Sequence, residues 1–288
     1  MTRITTLRIV ALLVSLLLTR QSALAIDKVT LGFSSLSAVH GATWVAEEKG
    51  LFRKHGIEPE IIIMPGTTVG ISALMAGDVQ FLSAGGSLVI GANLKGADLV
   101  MIGAYINKGV QSIMARNDIK APPDLKGKTV GVTRLLDGGH RLLDRALGMW
   151  KIHPAEVRLM ALGSSPAMLA RLEKGGIDAA VLTIPSVFVA EDKGFRVLAN
   201  FRDLGLYSLS GMLSTRRAFL RSNRDLATRF MKGFVEGIAY FIKNKNESVA
   251  VLRKKLRTGA AGDRHLGRGY DFLATKQYER VPYPSPAG

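Results

Sequence analysis

The chain has 288 residues with 39 Lys or Arg against 23 Asp or Glu, so its formal net charge is +16, and 47 % of its residues are hydrophobic. This length and apolar content exclude wholesale disorder and suit one large fold or two lobes. A chain without cysteine cannot form disulfides, zinc ribbons, iron–sulfur clusters or a thiol nucleophile, and it cannot carry a lipid on an N-terminal cysteine.

The first 25 residues have the features of an export signal. Arg3 and Arg8 make the start basic, residues 9–18 form an apolar run, and Ala23-Leu24-Ala25 places small residues where a signal peptidase reads them. A membrane-spanning helix needs about 20 apolar residues, and this run is much shorter. We therefore expect cleavage before Ile26 and export of the mature chain. An uncleaved membrane anchor is the alternative.

Strands and helices alternate through the next part of the chain. Alternating or continuous apolar patterns predict strands at 28–33, 57–64 and 79–82, and helices at 41–55 and from 67 to about 75. Strands that alternate with helices of this length are typical of a mostly parallel sheet with crossover helices.

The same order of elements returns about 100 positions later. Residues 128–132 resemble residues 28–32, Gly163-Ser164-Ser165 corresponds to Gly66-Thr67-Thr68, and residues 176–178 correspond to residues 77 and 78. We therefore predict two similar α/β lobes, each a mostly parallel sheet flanked by helices. The alternative is that any α/β chain repeats strand, turn and helix in this way.

Two joints and a helical end complete the predicted organisation. Pro122-Pro123 excludes a helix in the connector near 115–123, and a second joint lies near 203–211. An apolar stripe at helical spacing then runs through residues 226–241, with Gly233 and Gly237 beside it as points of close helix packing. The predicted division is a signal peptide at 1–25, a first lobe at 26–116, a second lobe at 117–206, and C-terminal helices at 207–288 that return to the first lobe.

Motifs of known catalytic chemistry are not found in the sequence. It contains no GxxxxGK[ST], GxSxG or GxGxxG, and its five histidines include no HxH or HExxH pair. We therefore predict a protein that is not an enzyme and that has no cofactor, no metal and no catalytic residue.

Hydroxyl-bearing and glycine-rich helix starts follow the predicted strands. Ligands of open α/β sheets bind outside the carboxyl ends of the strands, where helix N-termini offer free N–H groups to anionic oxygens. Arg134 could add a full positive charge, or it could be a solvated loop residue. The pattern points to a small anion, with each hydroxyl serving either the ligand or a helix cap. The candidates from this pattern are Ser34, Ser35, Thr67, Thr68, Ser83, Ser164, Thr183, Arg134, His40 and His140.

Several segments together resemble a known family. These are AEEKGLFRKHGIEPEI at 46–61, PGTTVGISALMAGDVQF at 65–81, DLKGKTVGV at 124–132 and GGIDAAVLTIPS at 175–186. They are similar to the periplasmic substrate-binding proteins of nitrate/sulfonate/taurine-type ABC importers, a group that includes the thiamine-pyrimidine-synthase-like domain. The resemblance implies the two-lobed type II binding-protein fold with two crossovers and a ligand cleft between the lobes.

The resemblance also implies where ligand loops lie. In the first lobe they fall on Ser34 and Ser35, on Gly66, Thr67 and Thr68, and on Ser83 to Gly86, which includes Gly85; in the second they fall on Thr133 to His140, on Ser164 and on Thr183. One departure from the family pattern stands out. Many relatives have a Gly-Ser type of turn where this chain has Thr133-Arg134-Leu135-Leu136, which leaves the identity of the ligand open.

The function implied is capture of a small anion of the sulfonate, taurine or nitrate class in the periplasm. A monomer would deliver it to an ABC permease of the inner membrane. One alternative is a pyrimidine-precursor binding protein or a synthase-like enzyme of thiamine metabolism, although such enzymes use a cysteine-rich motif that this chain lacks. Another is a binder of nucleic acid or membrane surfaces, since residues 216–268 carry 14 basic and 4 acidic residues, but without interleaved aromatics. Residues 282–288 resemble the lead-in to a further helix, so a last element of the first lobe is expected to be missing.

Overall fold

Ten strands and ten α-helices form the part of the chain that the computed structural model describes, residues 26–258 and 262–284. The predicted signal segment lies outside these described residues. The strands are β1 (Asp27–Phe33), β2 (Ile57–Ile63), β3 (Phe81–Ala84), β4 (Leu99–Lys108), β5 (Ser112–Ala115), β6 (Thr129–Val132), β7 (Arg158–Ala161), β8 (Ala179–Leu182), β9 (Arg196–Asn200) and β10 (Tyr207–Arg216).

The helices lie between and after these strands. They are α1 (Gly41–Glu48), α2 (Thr67–Ala76), α3 (Gly86–Asn93), α4 (Gly138–Met149), α5 (Ser165–Glu173), α6 (Ser186–Asp192), α7 (Arg217–Ser222), α8 (Arg224–Lys243), α9 (Lys245–Leu256) and α10 (Asp263–Lys276). The helix predicted at 41–55 is shorter than expected, because Gly50 adopts a left-handed φ of 68° and only a separate 3₁₀ turn follows at Arg53–His55.

The strands form two sheets of five, one in each lobe. The first has the order β2-β1-β3-β10-β4 and the second has the order β7-β6-β8-β5-β9. The pairings of β1 with β2 and β3, and of β6 with β7 and β8, are parallel, whereas β10 and β5 run antiparallel to both of their neighbours. Each sheet therefore has four strands in one direction and one reversed strand. The predicted fold, two lobes of mostly parallel sheet flanked by helices, is confirmed.

Two crossovers join the lobes and run side by side. The first, residues 109–111, links β4 to β5, and the second, residues 201–206, links β9 to β10. The N–H of Gly109 donates to the carbonyl of Leu206 at 3.2 Å, and the N–H of Phe201 donates to the carbonyl of Gln111 at 3.2 Å. The predicted division at 116/117 counted β5 with the first lobe, whereas β5 pairs with β8 and β9 in the second sheet.

The apolar stripe of α8 packs into the core of the first lobe. Phe230, Phe234, Ile238 and Phe241 are all fully buried there together with Val29 of β1. The Phe230 ring stacks on Phe81 at 4.0 Å between ring centres and on Phe52 at 5.1 Å. The periodicity of the sequence therefore identified the buried face of this helix correctly.

Close packing of α8 on α1 depends on a glycine. A Cβ atom on Gly237 would lie 2.6 Å from the carbonyl oxygen of Ala42 and 2.6 Å from the Cβ of Ala46. Neither group can move without shifting the backbone of α1, so we expect Gly237→Ala to lower the free energy of unfolding by about 1–3 kcal/mol.

A second glycine of a helix is a matched control for this prediction. Nothing lies within 4 Å of a Cβ on Gly267, inside α10. We expect Gly267→Ala to raise stability by up to about 1 kcal/mol through helix propensity alone. Urea denaturation of both variants measures the two effects, and a stability loss of the same size in both would contradict the packing argument.

The C-terminal helix α10 touches both lobes. Its Tyr270 and Leu273 are buried in the core of the first lobe. On another face, Arg268 bonds to Asp192 of α6 at 3.0 Å and also to Glu191, and its guanidinium lies 4.4 Å from the ring centre of Phe188. Because α6 follows β8 of the second sheet, this contact ties the two lobes together outside the crossovers.

Candidate functional site

Three loops of the first lobe meet at the carboxyl ends of its parallel strands. The N–H of Ser34, after β1, donates to the carbonyl of Ser83 at 3.2 Å, and the N–H of Met64, after β2, donates to the carbonyl of Phe33 at 2.7 Å. Gly85 follows β3 directly and occupies the N-cap position of α3, where no side chain accepts from the first-turn N–H groups. The candidate loops at Ser34 and Ser35, Gly66 to Thr68 and Gly85 are therefore neighbours.

Helix α2 begins at this edge without a side-chain cap. Gly66 stands at its N-cap position with a φ of 104°, and no side chain there accepts from the first-turn N–H groups. Thr67 is half-buried and Thr68 is exposed. The start of α2 consequently presents unsatisfied N–H groups and the positive end of the helix dipole, which favour an anion.

The candidate loops of the second lobe also lie together. The N–H of Gly163 donates to the carbonyl of Thr133 at 3.0 Å, which brings the loop after β7 beside the loop after β6. Ser164 is exposed and caps α5 by accepting from the N–H of Ala167 at 3.4 Å. The N–H of Thr183 donates to the Ser165 hydroxyl at 3.1 Å, so the loop after β8 joins the same group.

Arg134 connects the two groups of loops across the lobes. A Cβ atom on Gly66 would lie 2.9 Å from both Cζ and Nη1 of Arg134. Only a residue without a side chain lets the guanidinium approach the start of α2 this closely. The geometry places a permanent positive charge from the second lobe against a helix N-terminus of the first lobe, and both favour anionic oxygens.

Two candidate ligand residues, His40 and Ser83, are directed into the protein interior instead of towards a ligand. His40 is 4 % exposed, its Nδ1 lies 3.1 Å from the Ser83 hydroxyl, and that hydroxyl lies 2.7 Å from the hydroxyl of Tyr105. The imidazole stacks on Phe33 with 4.0 Å between ring centres. Burial lowers the pKa of His40 to about 3, so this histidine is neutral. Both side chains therefore take part in a buried hydrogen-bonded cluster behind the loops.

His140 is occupied by its own helix. Its Nδ1 accepts from the N–H of Leu136 at 2.6 Å, and its Nε2 lies 3.4 Å from a carboxylate oxygen of Asp144. Asp137 caps the same helix, α4, by accepting from the N–H of His140 at 2.9 Å. In this arrangement Nδ1 of His140 holds the loop that carries Arg134, and Nε2 faces Asp144 on the next turn of α4.

One side chain near the second-lobe loops, Gln111, is absent from the sequence-based candidates, and another, Asp137, lies in the predicted loop Thr133 to His140 without being singled out there. Gln111 lies in the first crossover, and its amide nitrogen is 3.9 Å from the position of a Cβ on Gly139; Asp137 Oδ1 is 3.5 Å from the same position. Burial raises the pKa of Asp137. The Asp-Gly-Gly helix start could have indicated Asp137, whereas no local pattern marks Gln111.

Neither a metal-ligand cluster nor a membrane-spanning helix is found among the described residues. Within residues 26–258 and 262–284, no group of three or more His, Asp or Glu side chains is arranged to hold a metal ion. None of the helices in this described part of the chain has both the length and the apolar character needed to cross a bilayer.

Comparison with known proteins places these features in a wider group. The family model described as "NMT1/THI5 like" matches residues 37–248. The taurine-binding periplasmic protein of Escherichia coli (strain K12) is 27 % identical over 177 residues, which cover 60 % of this chain and 54 % of that protein. The chain thus spans about half the length of this relative.

Solved structures agree on the fold. The periplasmic aliphatic sulphonate binding protein SsuA from Escherichia coli superposes with a TM-score of 0.72 at 23 % identity, covering 85 % of this chain and 82 % of that one. The alkanesulfonate-binding protein SsuA from Xanthomonas axonopodis pv. citri, bound to MOPS, also has a TM-score of 0.72, at 18 % identity, covering 84 % of this chain and 83 % of that one.

Proposed function

The chain belongs to the NMT1/THI5-like family, and from this membership we propose that it is the solute-binding component of an ABC importer. Its solute is a small anion of the sulfonate, taurine or nitrate class. The observation that carries the choice of an anion is the contact of Arg134 with Gly66 at the uncapped start of α2. The names of the taurine- and sulphonate-binding relatives support the same ligand class.

Capture in this proposal is a closing of the lobes about the paired crossovers. The solute enters between the loops at the strand ends, and Arg134 then approaches the start of α2 from the opposite lobe. A ligand shifts this equilibrium only as far as it binds the closed form better than the open form. An anion that bridges Arg134 and the α2 N–H groups does so, because these groups come together only on closure. The protein binds its solute without converting it, and the synthase-like alternative is not favoured.

Partner and location complete the proposal. We propose a periplasmic monomer, divided into lobes near the two crossovers, that delivers its solute to a permease of the inner membrane. Binding to nucleic acid is disfavoured because much of the positive charge in the C-terminal helices is paired. Lys254 bonds to Glu48 at 2.5 Å, Lys255 bonds to Glu47 at 2.5 Å, and Lys245 bonds to Asp271 at 2.7 Å.

A thermal-denaturation panel tests the function. Taurine, ethanesulfonate and nitrate are each added in excess, with choline as a cationic control. A ligand at one hundred times its Kd stabilises the folded protein by about 2.7 kcal/mol, so a binding anion should raise the melting temperature measurably. Recovery of the solute unchanged after incubation agrees with binding alone. Stabilisation by choline and by none of the anions would contradict the proposal.

A further inference from the structure

Gln111 occupies a particular place between the two lobes. It is the last residue of the first crossover, directly before β5, and its carbonyl accepts from the N–H of Phe201 in the second crossover at 3.2 Å. This bond holds the backbone of Gln111 at the edge of the second sheet where the parallel strands β6, β7 and β8 have their carboxyl ends. Its side chain extends towards Gly139 in the first turn of α4.

The strand register places Gln111 beside a candidate ligand residue. Strands β5 and β8 pair antiparallel with Ser112 opposite Leu182, so one further step along the ladder sets Gln111 opposite Thr183. The amide oxygen of Gln111 and the hydroxyl of Thr183 are both buried, and neither has a hydrogen-bond partner among the residues that the structure describes. Buried polar atoms are nearly always paired, so two unpaired neighbours indicate a group that arrives from outside.

The carboxylate of Asp137 lies close to the side chain of Gln111. Asp137 Oδ1 and the amide nitrogen of Gln111 both approach the Cβ position of Gly139, at 3.5 and 3.9 Å. The main chain of Arg134 donates to Asp137 while its guanidinium extends to Gly66. Two buried acceptors without a partner, the Gln111 amide oxygen and the Thr183 hydroxyl, therefore lie on loops that adjoin the loop of Asp137 and Arg134. Such a pairing of acceptors with a cation suits a ligand that carries both a donor and an anion.

We propose that Gln111 determines ligand specificity by accepting a hydrogen bond, together with Thr183, from an ammonium group of the solute. This inference rests on the proposed function and narrows its solute to a zwitterion, an aminosulfonate rather than a simple sulfonate. The anionic end lies against Arg134 and the start of α2, and the ammonium end lies against the Gln111 amide oxygen and the Thr183 hydroxyl.

The test compares taurine with ethanesulfonate, which has the same sulfonate and carbon chain but no amine. Isothermal titration calorimetry gives the Kd of each for the wild type, Gln111→Leu and Gln111→Glu. We expect the wild type to bind taurine at least tenfold more tightly than ethanesulfonate. Gln111→Leu should lose this preference while binding ethanesulfonate as before, and Gln111→Glu should keep or increase it, since a carboxylate also accepts from an ammonium.

Ser112→Ala is the matched control. Its hydroxyl accepts from Asn200 at 3.2 Å, so its removal should leave the preference for taurine intact. Equal affinity of the wild type for both solutes, or an equal loss for both in Gln111→Leu, would overturn the inference while leaving the proposed function in place. Failure of the wild type to bind any sulfonate or nitrate would overturn both.

Discussion

Replacing Arg134 by alanine should weaken the binding of taurine or another sulfonate by about 10- to 100-fold, because hydrogen bonds to charged groups contribute about 1.5–3 kcal/mol and each 1.4 kcal/mol is tenfold. Arg134 is exposed and belongs to no core cluster, so the fold should be unaffected. Titration calorimetry measures the Kd, and thermal denaturation without solute checks that stability is unchanged.

Two further variants separate the charge of Arg134 from its shape. Arg134→Lys keeps the charge but loses the planar fork, so its affinity should fall between those of the wild type and Arg134→Ala. Arg158 is the matched control. It is exposed at the amino end of β7, away from the carboxyl ends of the strands, and its Nε donates to the Thr129 hydroxyl at 3.3 Å. Arg158→Ala should bind normally. A Kd for Arg134→Ala within twofold of the wild-type value would show that this arginine does not contribute to ligand binding.

Lowering the pH should destabilise the protein through His40, at pH values above those at which most Asp and Glu side chains of the protein become protonated. Burial lowers the pKa of His40 from 6.5 to about 3, so between these values the unfolded chain binds a proton that the folded chain does not. The stability linked to this group is present above pH 6.5 and is lost as the pH falls. Each pH unit costs about 1.4 kcal/mol, so the loss between pH 7 and pH 4.5 is about 2–3 kcal/mol.

A histidine variant isolates this effect. His40→Asn retains a polar atom near the position of Nδ1 and cannot titrate, so its stability should change far less between pH 7 and pH 4.5, even if it is lower at both. His153 is exposed at the N-cap of the 3₁₀ turn Pro154–Glu156, where asparagine is also a suitable cap, and His153→Asn should keep the pH dependence of the wild type. Urea denaturation at the two pH values gives the free energies. An unchanged slope in His40→Asn would show that another group is responsible.

The predictions for Arg134 and His40 concern residues on opposite sides of the loops at the strand ends. Sequence reasoning grouped His40 and Arg134 as candidate donors to a ligand, because both follow a strand. The structure separates them: Arg134 extends across the cleft to Gly66, whereas His40 stacks on Phe33 and bonds to Ser83 behind the site. Whether a side chain faces the ligand or the core depends on its direction after the strand, and composition does not record that direction.

Local patterns were sufficient for the elements and for the fold class. The alternation of strands with helices predicted two lobes, and the spacing of Phe230, Phe234, Ile238 and Phe241 predicted the buried face of α8. These succeed because the period of apolar residues reflects which face of an element is buried, and neighbours in the sequence determine that period. The family resemblance, likewise carried by contiguous segments, is confirmed by the match over residues 37–248.

Long-range pairing decided the rest. The membership of β5 in the second sheet, the position of Gln111 opposite Thr183, and the approach of Arg134 to Gly66 each join segments far apart in the sequence. The sequence by itself determined which residues are apolar, where elements begin and which loops follow strands. Only the tertiary structure decided which loop side chains meet, because register between distant strands is set by the packing of the whole sheet and not by any local period.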